Sequence, residues 1–216
     1  MIKIPTDLTV ELRSADGTIT EYYQANEARI QEALRLLADP RLFAQRHLLL
    51  TSRQRASLIP CTGIDMLIVH TSASLPMKFP LNLPMGQFDL AEQPDDLADD
   101  DSAAPEEPCE RKPGQVHRHT SRVEIRTLGG WTVSLQMVAA IRGHQQDERQ
   151  FLSHLPDVPT IPFRLPEGGF GLINTANITV ASTTPKPDAL PGTPLPLILR
   201  RRFPSPRRGD ESVLLK

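Results

Sequence analysis

Six histidines, two cysteines and a few short polar motifs are the side chains here that could do more than pack. His117 and His119, in HRHTSR, have the His-x-His spacing of a metal-binding strand. A bound metal needs further ligands, and none stands close in sequence, so the pair reads as a solvated strand entry. EGGFG at 167–171 has the glycines of a phosphate cradle. It lacks the Lys-Ser/Thr of a P-loop, the G-x-G-x-x-G spacing and a following helix, so a hairpin turn is expected. HTSAS at 70–74 sets His70 beside serines, without a nucleophile elbow or a third triad member.

Cys61 sits in an apolar segment with no basic cluster beside it to lower its pKa, which predicts a structural thiol. Cys109 lies in an acidic run, and the two make neither a disulfide framework nor a C-x-x-C knuckle, so a reducing compartment is expected. Asp147, Glu148 and Arg149 fit a helix start. Trp131 opens an amphipathic strand and reads as core. The expectation is a protein that is not an enzyme, with no catalytic residue, no cofactor and no metal.

The tail holds the densest chemistry. Leu197, Ile198, Arg200, Arg201, Arg202, Phe203, Arg207 and Arg208 combine a short apolar island with two arginine clusters, and they are the expected partner-binding residues. Another protein is the expected partner, docked through a Pro-rich or apolar segment. Nucleic acid is the alternative, since arginines at this density bind phosphates by charge and fork geometry. Competing with both is the acidic run, where ten Asp and Glu and no Lys or Arg fall between Asp89 and Glu110.

Which elements position these groups? The chain has 216 residues and 21 prolines, about double ordinary usage, so much of it should be neither helix nor strand. No charged leader with an apolar core opens the chain, and no apolar run approaches a membrane span, so a cytoplasmic protein without membrane contact is expected. The acidic, Pro- and Ala-rich segment cannot offset the entropy of ordering by burial and predicts a disordered linker. The tail, with a proline every few residues, predicts an extended, poorly paired chain.

Between and before these lie two blocks that match. VELRSADG at 10–17 and VEIRTLGG at 123–130 correspond at an offset of 113, and Leu58, Ile59, Ile64 and Met66 correspond to Leu172, Ile173, Ile178 and Val180 at 114. Such register predicts an internal duplication. Each block opens with an alternating strand, turns at Asp16-Gly17 or Gly129-Gly130, and returns; in WTVSLQMV, Trp131, Val133, Leu135 and Met137 share one face.

A helix follows. Ile30, Ala33, Leu34 and Leu37 stand at i, i+3, i+4 and i+7, capped by Asn26 and ended by Pro40, and DERQFLSHL, opened by Asp147 and Gln150 and stopped by Pro156, is its shorter equivalent. A second hairpin then pairs HLLLT with LIPCTGIDMLIVHT through Arg53-Gln54-Arg55, and TIPFRL with FGLINTANITVAST through Glu167-Gly168-Gly169. The fold class is therefore α+β and sheet-rich: two tandem ββαββ repeats in a pseudo-two-fold core. Residues 1–86 form the first repeat, 87–116 the linker, 117–185 the second repeat and 186–216 the Pro/Arg-rich tail.

Overall fold

The computed structural model describes residues 7–51, 56–73, 87–91, 116–142 and 155–184. The turn at 53–55, the acidic segment 92–115 and the tail from 185 onward lie outside them. So does the helix expected over 147–155, except for Leu155, which begins a single 3-10 turn, Leu155–Asp157.

The first hairpin forms where alternation and turn chemistry place it. Strand β1 (Leu8–Ser14) buries Leu8 and Leu12, and β2 (Ile19–Gln24) returns beside it with Ile19 and Tyr23 facing outward. Gly17 makes the turn at φ +85°, a conformation costly for any residue with a Cβ. Helix α1 (Glu27–Leu37) follows, its first turn closed by the Asn26 side chain, which accepts from the Arg29 N–H at 3.1 Å. Ile30 and Leu34 are buried, with Ala33 and Leu37 packed beside them.

The next stretch departs from the sequence reading. Strand β3 (His47–Thr51) pairs with β4 (Ala56–Pro60), Leu48 opposite Ile59 and Leu49 opposite Leu58. The apolar run then breaks at a 3-10 corner, Cys61–Gly63, and β5 (Ile64–Thr71) continues in a different sheet. Pro60 has no N–H to extend the ladder, and the Cys61 N–H turns back to the Arg46 carbonyl at 3.0 Å. Where one long strand is expected, there are two at an angle.

Strand β6 (Gln87–Leu90) is the second departure, because its residues belong to the expected linker yet Phe88 is buried. Strands β7 (Val116–Thr127) and β8 (Thr132–Arg142) form a long hairpin whose Val133, Leu135 and Met137 are buried, as alternation predicts. Strand β9 (Thr160–Arg164) pairs with β10 (Phe170–Asn174), a 3-10 corner follows at Thr175–Asn177, and β11 (Ile178–Thr184) ends the described chain. Again the expected single strand is bent in two.

The fold is sheet-rich, with one α helix among the described residues. Nine strands make one sheet in the order β11-β7-β8-β6-β9-β10-β5-β1-β2, while β3 and β4 form a small sheet of their own. All neighbours are antiparallel except β6 and β9. Successive side chains on a strand point to opposite faces, so the central strands feed two cores. Met66, Ile68 and Ile173 join Phe88, Val123, Ile125, Leu135 and Phe163 in the first. Ile64, Leu67, Val69, Phe170 and Leu172 join Leu8, Leu12, Ile30 and Leu34 in the second.

The hydrogen bonds of the first half recur in the second at the offsets read from the sequence. Ser14 N–H to Thr18 carbonyl is matched by Thr127 to Trp131, Gly17 to Ser14 by Gly130 to Thr127, Ala15 to Gly63 by Leu128 to Asn177, and Cys61 to Arg46 by Thr175 to Pro159. The pairing of β1 with β5 carries a bulge at Asp65, and that of β7 with β11 carries one at Thr179, 114 residues on.

Candidate functional site

The two corners meet, and their contact is where the polar groups concentrate. Asn174 Nδ2 donates to the carbonyls of Cys61 and Ile64, both at 2.9 Å. Asn177 Nδ2 lies 3.0 Å from the carbonyls of Thr62 and Ile64 and from Oδ1 of Asp65. Asp65 is fully buried at the bulge, and its Oδ2 accepts the Gly129 N–H at 2.6 Å. Trp131 Nε1 donates to the Ser14 carbonyl at 3.1 Å, under the Arg13 guanidinium, which stands 5.3 Å above the ring. A Cβ on Gly129 would collide with the Ser14 carbonyl, the Asp65 carboxylate and the Trp131 indole nitrogen, so only glycine allows this approach.

This arrangement locks the halves together but is poorly built for proton transfer. Both oxygens of Asp65 are held by neutral donors, away from solvent, and no ion pair among the described residues includes it. A buried carboxylate is tolerable only when satisfied in this way. In the sequence these positions carry only turn residues, and the one sign of the lock is a charge, Asp65, inside an otherwise apolar run.

The other motifs are dispersed. His70 Nε2 lies 3.8 Å from Glu11 Oε1, whereas Ser72 Oγ donates to Asp7 at 3.1 Å, so His70 and Ser72 turn to different partners. Cys61 is buried, and burial pushes its thiol pKa up, away from the reactive thiolate. Gly168 and Gly169, at φ +94° and +93°, form the turn between β9 and β10. His117 and His119 fall on β7, opposite Ile141 and Ala139. Among the described residues no group of three or more His, Cys, Asp or Glu converges as a metal site would require. Leu197, Ile198, Arg200, Arg201, Arg202, Phe203, Arg207 and Arg208 all lie outside the described residues.

What the described surface does offer is strand edges. β2 and β11 end the nine-stranded sheet, each paired on one side only among the described residues. They carry exposed apolar side chains: Ile19 and Tyr23 on β2, Val180 on β11. Leu49 and Leu58, opposite each other on the small sheet, are exposed as well. Comparisons with protein-family models, with curated proteins and with solved structures find no match to this chain. No helix among the described residues is long and apolar enough to cross a membrane.

Proposed function

We propose that this chain is a non-enzymatic protein-interaction or assembly module built from a duplicated β-rich unit, and that the free edge of β11 accepts an extended segment of a protein partner as an added strand. In this reading the halves are tandem copies about a pseudo-two-fold axis through the two corners. The first is the expected ββαββ unit with its last strand bent in two, and the second repeats its strands and its corner, the expected helix lying outside the described residues. The matching hydrogen bonds and the matching bulges support the duplication.

One observation carries the functional half of the reading. β5 is paired on both sides, by β1 and by β10. β11 holds the same place 114 residues later and is paired, among the described residues, by β7 alone. By the same symmetry β4 would cover it, but β4 pairs with β3 and rests on the second core through Ile59. An open strand edge is a template for another chain, and main-chain hydrogen bonds along it supply affinity without a catalytic group.

The test is affinity capture with the full chain, nuclease-treated, beside a Val180→Lys, Ser182→Lys variant that blunts the edge. The expected result is a partner lost by the variant at unchanged melting temperature, with β11 amides protected from exchange when the purified partner binds. Nucleic acid captured instead, released steeply by salt and lost on deletion after Pro191, would move the function to the arginine clusters and overturn this reading.

A further inference from the structure

β2 is the other strand with one edge unpaired among the described residues, and the second half of the chain shows what can lie there. Strand β6 covers the outer edge of β8, Phe88 opposite Met137, Asp89 opposite Gln136 and Leu90 opposite Leu135. Phe88 is buried in the first core, Leu90 packs on it, and Asp89 faces outward to an ion pair with Arg164 at 2.6 Å. The counterpart of β8 at an offset of 113 is β2: Arg13 opposite Ile19 repeats Arg126 opposite Thr132. Leu135, Gln136 and Met137 thus correspond to Tyr22, Tyr23 and Gln24. Among the described residues nothing pairs with β2 on that side, and Tyr23 is 65% exposed.

β6 is delivered by the chain that follows β5, and the chain that follows β11 is the tail. Both segments approach a short apolar run through prolines. Leu83-Pro84 precedes QFDL at 87–90, and Leu195-Pro196 precedes LILR at 197–200, with no proline inside either four-residue run. We propose that residues 197–200 of this chain add antiparallel to the free edge of β2, in the place β6 holds beside β8. The inference rests on the duplication but not on partner binding at β11.

Side-chain chemistry sets the register. With Leu197 and Leu199 in the places of Phe88 and Leu90, they face the second core opposite Gln24 and Tyr22, the latter already packed on that core. Ile198 then lies opposite exposed Tyr23, an aromatic against a β-branched residue, a favourable cross-strand pair. Arg200 lies opposite Glu21. That carboxylate sits directly across from Glu11, which Arg13 pairs at 3.2 Å, so Arg200 would give Glu21 a cation of its own in the same row of charges. Residues 185–196 can extend to about 40 Å, which matches the eight spacings of about 4.8 Å that separate β11 from β2 along the sheet.

Two measurements on the full chain, with Cys109→Ser, test this. Antiparallel partners stand about 4.5–5.5 Å apart, within disulfide range. Tyr23→Cys with Ile198→Cys should therefore close an intramolecular disulfide under mild oxidation, whereas Val180→Cys with Ile198→Cys should not. Without the added cysteines, deletion after Pro191 should speed amide exchange across β2 at least about tenfold while leaving β11 unchanged. Cross-links formed only between chains, equal closure of both pairs, or β2 exchange indifferent to the deletion would each overturn the proposal. Fast β11 exchange alongside such a failure would leave the partner-binding reading standing.

Discussion

β5 and β11 hold the same position in the two halves and share a corner, a bulge and an antiparallel neighbour, yet their sequences differ in kind. IDMLIVHT is buried from Ile64 to Val69, including one charge, whereas ITVASTT alternates exposed and half-buried residues. The first lies between two cores with a strand on either side; the second ends the sheet. Backbone geometry follows the shared turn pattern, and composition follows the burial of each strand. On the proposed duplication, the two strands differ where their neighbours differ.

The helix gives the largest way to break this comparison, since α1 covers the second core while the described second half has no equivalent. Leu34→Asp removes a side chain worth about 1.5–3 kcal/mol of burial and adds an unpaired carboxylate, so urea denaturation should show a loss of several kcal/mol. A variant melting within a degree of the parent would take α1 out of the core.

The bulge residues sharpen it. Asp65→Ala strands the Gly129 N–H and takes from Asn177 Nδ2 one of its acceptors, and should cost roughly 1–3 kcal/mol. Thr179→Ala, at the exposed counterpart, should stay within about 0.5 kcal/mol. Equal losses in denaturant melts would mean that the junction does not distinguish the two halves.

Smaller still is the pair Gly129 and Asp16, which also correspond. Gly129→Ala must push apart the Ser14 carbonyl, Asp65 and Trp131, and should lower the melting temperature measurably. Asp16 is exposed, and its carboxyl is held below the usual range by the Thr18 N–H at 2.9 Å and the Thr18 hydroxyl at 2.8 Å. A folded pKa below the unfolded one contributes stability above the unfolded pKa and loses it as pH falls through the folded value. Asp16→Asn should therefore match the parent in strong acid and differ slightly near neutrality, read by melts across that range. Least disruptive is a labelling experiment: with Cys109→Ser, Cys61 should react with a maleimide slowly at neutral pH and rapidly in denaturant.

Much of the fold was legible because period and punctuation agree. Val133, Leu135 and Met137 alternate, Gly17 and Gly130 close their turns, and Ile30 to Leu37 follow a helix face. The corners were not, because Leu58, Ile59, Ile64 and Met66 are apolar on both sides of Cys61–Gly63, and Pro60 and Gly63 punctuate the run without showing that the chain changes sheet. β6 was hidden by its surroundings: four residues at the edge of a strongly acidic run read as linker, and only the burial of Phe88 betrays a strand. The Asp65 lock depends on groups distant in the chain, Gly129 and Asn177, which no local pattern connects. The edges left unpaired among the described residues became visible only once the strand order was known.

Backbone amide exchange in the full chain, followed residue by residue, tests the difference between β5 and β11 most directly. Amides of β5 that face β10 should exchange at least about a hundredfold more slowly than those of β11 that face away from β7, since protection spans near zero at frayed edges to the global stability in the core. If the outward amides of β11 prove as slow as those of β5 in the isolated chain, the edge is already filled and the account of an open strand waiting for a partner is wrong.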